Sequence, residues 1–167
     1  MDQKFFHQGE TPEQFIAGLK DNREKFEQLL AETAGVDLEE NLGKGFSEVR
    51  NVMVIAEPWS GDVMYFLPPL LHIASKAKWQ VRIFRRDQYP DLILPYRKDG
   101  LYHAIPVFIF YDQNFNELAH WVERPAKATR TIDAESLQLR RRLREEYKDE
   151  WRKDTVSEIV NLFHTFD

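Results

Sequence analysis

The residues of this chain that could do chemistry are concentrated at positions 57–63, which read Glu-Pro-Trp-Ser-Gly-Asp-Val. Ser60 carries a hydroxyl nucleophile, Asp62 carries a carboxylate two positions later, and His103 could serve as a general base. Nucleophilic catalysis of this kind requires the nucleophile, the base and the orienting acid to lie within hydrogen-bond reach of one another. A serine-centred triad is therefore the first hypothesis for this stretch.

The residues around Ser60 favour a structural role over catalysis. No Gly-x-Ser-x-Gly nucleophile elbow surrounds this serine. The stretch leaves the apolar run 52–55 and enters a helical segment, so it presents the free N–H groups of a helix at the end of a strand. We expect Ser60 to be a helix-capping or solvent-facing hydroxyl, and Asp62 to cap the helix rather than to act as an acid.

The sequence lacks the residues that metal binding or thiol redox chemistry requires. The chain has no cysteine, which excludes disulfides, thiolate metal sites and thiol redox chemistry. Its seven glycines do not form a phosphate-binding fingerprint. The five histidines show no His-x-x-x-His or Glu-x-x-His spacing, and they are His7, His72, His103, His120 and His164. No metal ion and no other cofactor is predicted.

Size and charge narrow the function classes further. A chain of 167 residues suits one domain, and its net charge of -5 gives no electrostatic case for nucleic acid. No apolar run reaches membrane-spanning length, and the N-terminus lacks the apolar core of a signal peptide. We therefore expect a cytoplasmic protein that does not bind membranes.

The elements around the 57–63 stretch form an α/β pattern. The run 52–55 is continuously apolar, which is typical of a strand buried on both faces. A helix from 62 to about 77 follows, although it contains Pro68 and Pro69, which kink helices. Residues 79–84 alternate between apolar and polar side chains, which predicts the parallel partner strand of a βαβ unit. A further strand opens at Pro106, and after a turn at 112–116 the chain returns as a strand over 117–122.

Helices are predicted at both ends of the chain. Thr11 and Gln14 form a capping box for a helix from about 12 to 34, and a short helix is expected around Phe46. Residues 91–97 suggest a short helix broken at Pro95.

Near the C-terminus, a helix over 134–153 precedes a break and a second helix to about 164. A capping box at 155–158 begins the second of these helices. The arginine run 140–142 is interpreted as a solvated face. The exposed face of the first helix could support a dimer, although packing on its own sheet is the simpler use.

This order of elements resembles the thioredoxin superfamily, in which a strand ends at Trp-Cys-x-x-Cys and a helix follows. Ser60 and Val63 stand at the two cysteine positions. Pro68 lies eight residues after Ser60, as the kinking proline of thioredoxins lies after their first cysteine. Pro106 matches the proline that is cis in thioredoxins and faces the active-site loop.

A bacterial branch of thioredoxin-like proteins is more similar still. Its members begin with a Thr-Pro-x-x-Phe helix, as at 11–15, and carry Trp-Cys-Gly-Asp, as at 59–62 apart from the cysteine. They also have Arg-Asp after the next strand (86–87), an Ile-Pro-x-Phe-x-Phe strand (105–110) and Arg-Pro at the end of the sheet (124–125). The enzyme type that this resemblance implies is a thiol-disulfide oxidoreductase of cell redox homeostasis.

The resemblance implies one α/β domain of thioredoxin fold spanning residues 1–167, with a central mixed sheet of about four strands flanked by helices. Its core covers about 49–125, with an N-terminal helical extension at 1–48 and C-terminal helices at 133–166. Arg86, Asp87 and Arg124 are expected to pair with one another at the sheet ends, and the alternative is an anion site beside the loop.

The departures from the family indicate lost redox function. Both cysteines are replaced, and Val54 occupies the position of the buried acid that relays protons in typical thioredoxins. An acid with nothing to deprotonate would be an unpaired buried charge, so its absence agrees with lost redox chemistry. We expect a redox-inactive protein that binds a peptide or protein partner. The binding residues expected at this surface are Trp59, Ser60, Gly61, Asp62, Tyr102, His103, Ile105 and Pro106.

Two alternatives stay open at this point. A monothiol oxidoreductase would hold only if the natural chain has a cysteine at position 60, which the codon of the gene distinguishes. The second is a small-molecule site, since related folds bind glutathione beside the same proline. An absence of tryptophan fluorescence change on titration with glutathione would remove it.

Overall fold

Four strands form one sheet in the computed structural model, which describes residues 1–38, 42–133 and 135–164. The strands are β1 (Asn51–Ala56), β2 (Gln80–Arg85), β3 (Val107–Tyr111) and β4 (Glu117–Val122). Their order across the sheet is β2-β1-β3-β4. β1 is parallel to β2 and antiparallel to β3, and β3 is antiparallel to β4. The predicted mixed sheet of about four strands is confirmed.

The central position of β1 explains its composition. It lies between β2 and β3, and all six of its residues are buried. A strand covered on both faces cannot alternate between polar and apolar residues, because both sets of side chains leave water. At its carboxyl end, Ala56 is opposite Arg85 of β2, and Ile55 is opposite Val107 of β3. The loop after β1 therefore lies between the carboxyl end of β2 and the start of β3.

Helices cover the sheet. They are α1 (Gln3–Phe6), α2 (Pro12–Ala17), α3 (Arg23–Thr33), α4 (Lys44–Glu48), α5 (Gly61–Ala77), α6 (Ala126–Ile132), α7 (Leu137–Glu146) and α8 (Lys148–Asn161). Short 3-10 helices occur at Lys20–Asn22 and Pro90–Tyr96. α5 contacts both α3 and α8. The expected short helix around Phe46 is α4, and the helix with internal prolines is α5. No helix in the described part of the chain combines the length and apolar character needed to cross a bilayer.

The prediction of one continuous helix over 12–34 is wrong. The capping box at Thr11 and Gln14 is present, but α2 ends at Ala17 and α3 begins at Arg23. Between them Lys20 adopts a left-handed backbone with φ 51°. α2 contacts β2 whereas α3 contacts α5, and the break redirects the chain from one surface to the other.

The C-terminal helices also differ from the prediction. The break falls at Tyr147, not after residue 153, and α6 was not predicted. The expected capping box at 155–158 is wrong because Thr155 lies inside α8, where its hydroxyl donates to the carbonyl of Trp151. Positions 134, 165 and 166 of the predicted helices lie outside the described residues.

The arginine run is only partly a solvated face. Arg141 and Arg142 are exposed, whereas Arg140 is half-buried. Arg144, two positions after the run, is buried. A hydrophobicity pattern cannot anticipate a buried arginine, because its partner lies elsewhere in the chain.

Candidate functional site

Ser60 occupies the N-cap of α5 at the carboxyl end of β1. Its Oγ accepts a hydrogen bond from the backbone N–H of Val63 at 3.3 Å, and the residue is 7% exposed. A cap of this kind satisfies one of the free N–H groups in the first helical turn. The capping role expected for Ser60 is confirmed, while a solvent-facing hydroxyl is not what the structure shows.

Asp62 does not cap the helix, contrary to expectation, but forms a buried ion pair. Its Oδ1 accepts from Arg144 Nε at 2.9 Å, and its Oδ2 lies 3.4 Å from Arg124 Nε. Burial raises the pKa of the Asp62 carboxyl, and the guanidinium groups of Arg144 and Arg124 act against that shift. The Asp62 carboxylate is therefore paired with two arginines and does not orient a histidine.

The hypothetical triad is not assembled. Ser60 bonds to Val63 and Asp62 to the arginines, whereas the side chain of His103 is exposed and bonds to neither. The carbonyl of His103 instead accepts from Arg86 Nη1 at 3.1 Å. The arrangement has no base positioned to activate the hydroxyl of Ser60.

Gly61 allows an arginine to cover the start of α5. A Cβ at this position would lie 2.9 Å from Arg144 Nη1 and 3.0 Å from its Cζ, closer than such contacts occur. The absence of a side chain therefore permits the guanidinium to approach the first turn of the helix while it pairs with Asp62. Sequence reasoning did not identify Arg144.

Glu57, at the beginning of the loop, is a second residue that sequence reasoning missed. It is 6% exposed, and its Oε1 accepts from the backbone N–H of Asp87 at 2.8 Å. This bond attaches the loop to the segment that follows β2. The sequence shows a glutamate directly after the strand, but neither its burial nor its partner can be read from the sequence.

Arg86 connects three segments around the loop. Its Cζ lies 5.0 Å from the centroid of the Trp59 ring, its Nη1 donates to the carbonyl of His103, and its Nε pairs with Asp87 Oδ1 at 3.1 Å. A guanidinium over an indole face is an attractive cation–π contact. The expected pairing of Arg86 with Asp87 is confirmed, but Arg124 does not join it.

The aromatic side chains beside the loop remain open to solvent. Trp59 is 61% exposed and Tyr102 is 63% exposed, whereas Ile105 is 5% exposed and Pro106 is also buried. The Ile105–Pro106 peptide bond is cis. We call the surface formed by Trp59, Arg86, Tyr102 and His103 the platform. The predicted binding residues thus divide into exposed rings and a buried support.

Arg124 lies in a network of carboxylates. It pairs with Glu123, with Asp133 at 2.9 Å and with Asp62 at 3.4 Å. Lys98 Nζ joins the same acids, at 2.7 Å from Glu123 and 2.9 Å from Asp133. Burial works against the charge of Arg124, but Asp62 and Glu123 raise its pKa overall. These pairs hold the end of β4 against the start of α5.

Neither the second cysteine position nor the proton-relay position carries a reactive group. Val63 and Val54 are both fully buried apolar side chains. Among the described residues, no group of three or more His, Cys, Asp or Glu side chains is placed to hold a metal ion. These two positions therefore supply no group for covalent chemistry.

Comparisons with known proteins agree with the fold. A family model described as thioredoxin matches residues 9–149. No curated protein matches the chain. A protein of unknown function from Pseudomonas aeruginosa is 20% identical, with a TM-score of 0.72 over 97% of this chain and 96% of that one. An HIV epitope scaffold is 17% identical, with a TM-score of 0.71 over 97% and 96% of the two chains. At these identities the solved structures share the fold.

Proposed function

We propose that this chain, which belongs to the thioredoxin family, is a redox-inactive member that binds an extended peptide or protein segment on the platform. The observation that carries the proposal is the 61% exposure of Trp59 on a loop that is otherwise held in place. A large aromatic side chain left open to solvent is a typical anchor for a binding partner. The platform presents two such rings, those of Trp59 and Tyr102.

The support beneath Trp59 favours binding over a loose surface ring. Glu57 fastens the loop through Asp87, and Arg86 bridges the indole and the carbonyl of His103. A ring whose neighbours are already ordered loses little conformational entropy when a partner covers it. Preorganisation of this kind raises affinity without requiring further contacts.

The absence of redox activity is supported by chemistry that the chain cannot supply. Thiol-disulfide exchange requires a thiolate, and the sequence has no cysteine. The Ser60 hydroxyl at the first cysteine position is engaged by the helix it caps. The redox half of the proposal is tested by insulin-disulfide reduction with the protein and with Ser60→Cys. We expect no turnover for the protein itself, and measurable turnover would overturn the redox-inactive assignment.

The binding half is tested by selection of displayed random decapeptides on the immobilised protein. Selected peptides should bind in solution and lose about tenfold or more in affinity with Trp59→Ala, as expected for an aromatic hot spot. Leu137→Ala is the matched control, because Leu137 is 65% exposed at the start of α7 and outside the platform. Selected peptides that bind both variants equally well, or no selected peptide at all, would contradict the platform as the binding surface.

A further inference from the structure

A polar cavity of about 670 Å³ adjoins the platform, with which it shares Arg86, Tyr102 and His103. Charged side chains dominate the whole wall of the cavity. The cations are Arg86, Lys98, Arg124 and Arg140, and the acids are Asp99, Glu123 and Asp133. A wall with this composition recognises a polar or charged group rather than an apolar one.

Most of the wall charges neutralise one another. Lys98 lies 2.7 Å from Glu123 and 2.9 Å from Asp133, and Arg124 pairs with the same two acids. Arg86 pairs with Asp87, its neighbour in the chain. These ion pairs leave little net charge on Lys98, Glu123, Arg124 and Asp133.

Two charged wall residues, Arg140 and Asp99, form no ion pair among the described residues. Arg140 Nε donates to the carbonyl of Glu135 at 2.7 Å and its Nη2 to the carbonyl of Asp133 at 3.1 Å. Within residues 1–38, 42–133 and 135–164, no carboxylate lies within ion-pair distance of this guanidinium, and its Nη1 makes no hydrogen bond. Two main-chain carbonyls therefore hold a half-buried cation in a fixed orientation without neutralising it.

Arg124 adds a second guanidinium to the same wall. Its side chain is 3% exposed and pairs with Glu123 and Asp133, and its buried Nη1 has no hydrogen-bond partner in the described residues. Its charge is therefore offset by these acids, and Arg140 is the group at this wall that favours an anion.

We propose that this cavity binds a carboxylate group, with Arg140 as its principal anchor. The planar guanidinium matches a carboxylate in geometry, and one negative charge suffices to neutralise it. A phosphate dianion is disfavoured because Arg140 supplies one unpaired positive charge and Asp99 adds an unpaired negative charge to the same wall. The inference rests on the proposed function in one respect, since the carboxylate belongs to the segment bound at the adjoining platform.

The test uses free acetate, so that it does not depend on peptide binding. Amide spectra of the ¹⁵N-labelled full chain are recorded during titration with sodium acetate, against sodium chloride of the same ionic strength. We expect saturable shifts at Tyr102, His103 and Ala104 and at the Arg140 Nε–H with acetate only. Arg140→Gln and Arg140→Lys should each weaken acetate binding about tenfold, because neither side chain presents a planar guanidinium to the carboxylate.

Arg141→Gln is the matched control, because Arg141 is exposed on the same helix and is not part of the cavity wall. It should bind acetate like the unmodified protein. Non-saturable shifts that chloride reproduces, equal loss in the Arg140→Gln and Arg141→Gln variants, or tighter binding of phosphate than of acetate would each overturn the proposal.

Failure of this inference is distinguishable from failure of the proposed function. Peptides that require Trp59 without any acetate site would remove the cavity and leave the platform. Saturable acetate binding without such peptides would support the cavity as an anion site and remove the platform as a peptide-binding surface.

Discussion

Arg144 Nε donates to Asp62 Oδ1 at 2.9 Å, and the two residues are 82 positions apart in the sequence. Both are buried, and Arg124 approaches the other oxygen of the same carboxylate. This pair joins the first turn of α5 to the last turn of α7. Asp62 therefore holds the C-terminal helices against the loop that carries the platform.

Removing the charge of Asp62 tests this relationship. Asp62→Asn leaves the guanidinium groups of Arg144 and Arg124 buried without their shared carboxylate, and we expect a loss of about 3–5 kcal/mol in the free energy of unfolding. Urea unfolding at neutral pH measures it. Asp149→Asn is the matched control, since Asp149 pairs with Arg152 but is 75% exposed, and it should cost less than about 1 kcal/mol. Similar losses in the two variants would contradict the structural role of Asp62.

Glu158 provides a second test, because it connects α8 to two other elements. Its Oε1 accepts from the backbone N–H of Ala126 at 2.7 Å, and its Oε2 accepts from Trp121 Nε1 at 3.0 Å. Glu158→Ala leaves both donors without this acceptor and should lower the free energy of unfolding by about 2 kcal/mol.

Chemical denaturation followed by circular dichroism measures the Glu158→Ala effect. Glu150→Ala is the control on the same helix, because Glu150 forms only an exposed pair with Lys127 at 3.3 Å. Equal stability of the Glu158→Ala and Glu150→Ala variants would show that the bonds of Glu158 do not stabilise the fold.

The lowered pKa of Glu145 predicts that the free energy of unfolding depends on pH. Hydrogen bonds from Lys25, Tyr65 and Lys148 lower the pKa of Glu145 from 4.5 to about 2. Because the folded pKa lies below the unfolded one, this contribution is present above about pH 4.5 and is lost as the pH falls toward about 2. The side chain is 48% exposed, so solvent screening limits the contribution to less than about 1 kcal/mol.

The measurement compares the free energy of unfolding at pH 6 and pH 3. Glu145→Gln should reduce the difference between the two values, while Glu146→Gln serves as the control for removing a negative charge from the same helix. An unchanged difference in Glu145→Gln would mean that its contacts do not stabilise the ionised form.

The contacts of Arg86 should restrict the motion of the Trp59 side chain, and this can be tested by fluorescence quenching. Of the four tryptophans, Trp79, Trp121 and Trp151 are 7%, 6% and 3% exposed, so acrylamide reaches mainly Trp59. Arg86→Met removes the cation–π contact and the bond to His103, and we expect the quenching constant to rise while the far-UV spectrum stays the same. Arg97→Met is the control, since Arg97 donates to the carbonyl of Leu94 and is not one of the platform residues. Equal quenching in both variants would refute the role given to Arg86.

Sequence reasoning anticipated the features that depend on neighbouring residues. The buried strand β1 follows from a continuous apolar run, and the start of α2 follows from Thr11 and Gln14 three positions apart. The cap at Ser60 likewise joins residues within one helical turn. In each case the interacting groups are so close in the chain that their spacing defines the geometry.

It was less successful where the helices change direction. The separation of α2 from α3 and the break at Tyr147 depend on which surface each segment covers, and a helical period of apolar residues continues across both breaks. Thr155 and Glu158 have the spacing of a capping box, but Glu158 is used by Trp121 and Ala126 instead. Tertiary contacts outweighed the local pattern at these positions.

The sequence by itself determined that this protein has the strand-loop-helix arrangement of its family and lacks the thiols for its redox chemistry. Only the tertiary structure showed that Asp62 is neutralised by Arg144, that Glu57 holds the segment after β2, and that Arg86 supports Trp59. The physical reason is distance along the chain. Groups separated by tens of residues meet only after the core has packed, and their charges and donors then select partners that no local spacing records.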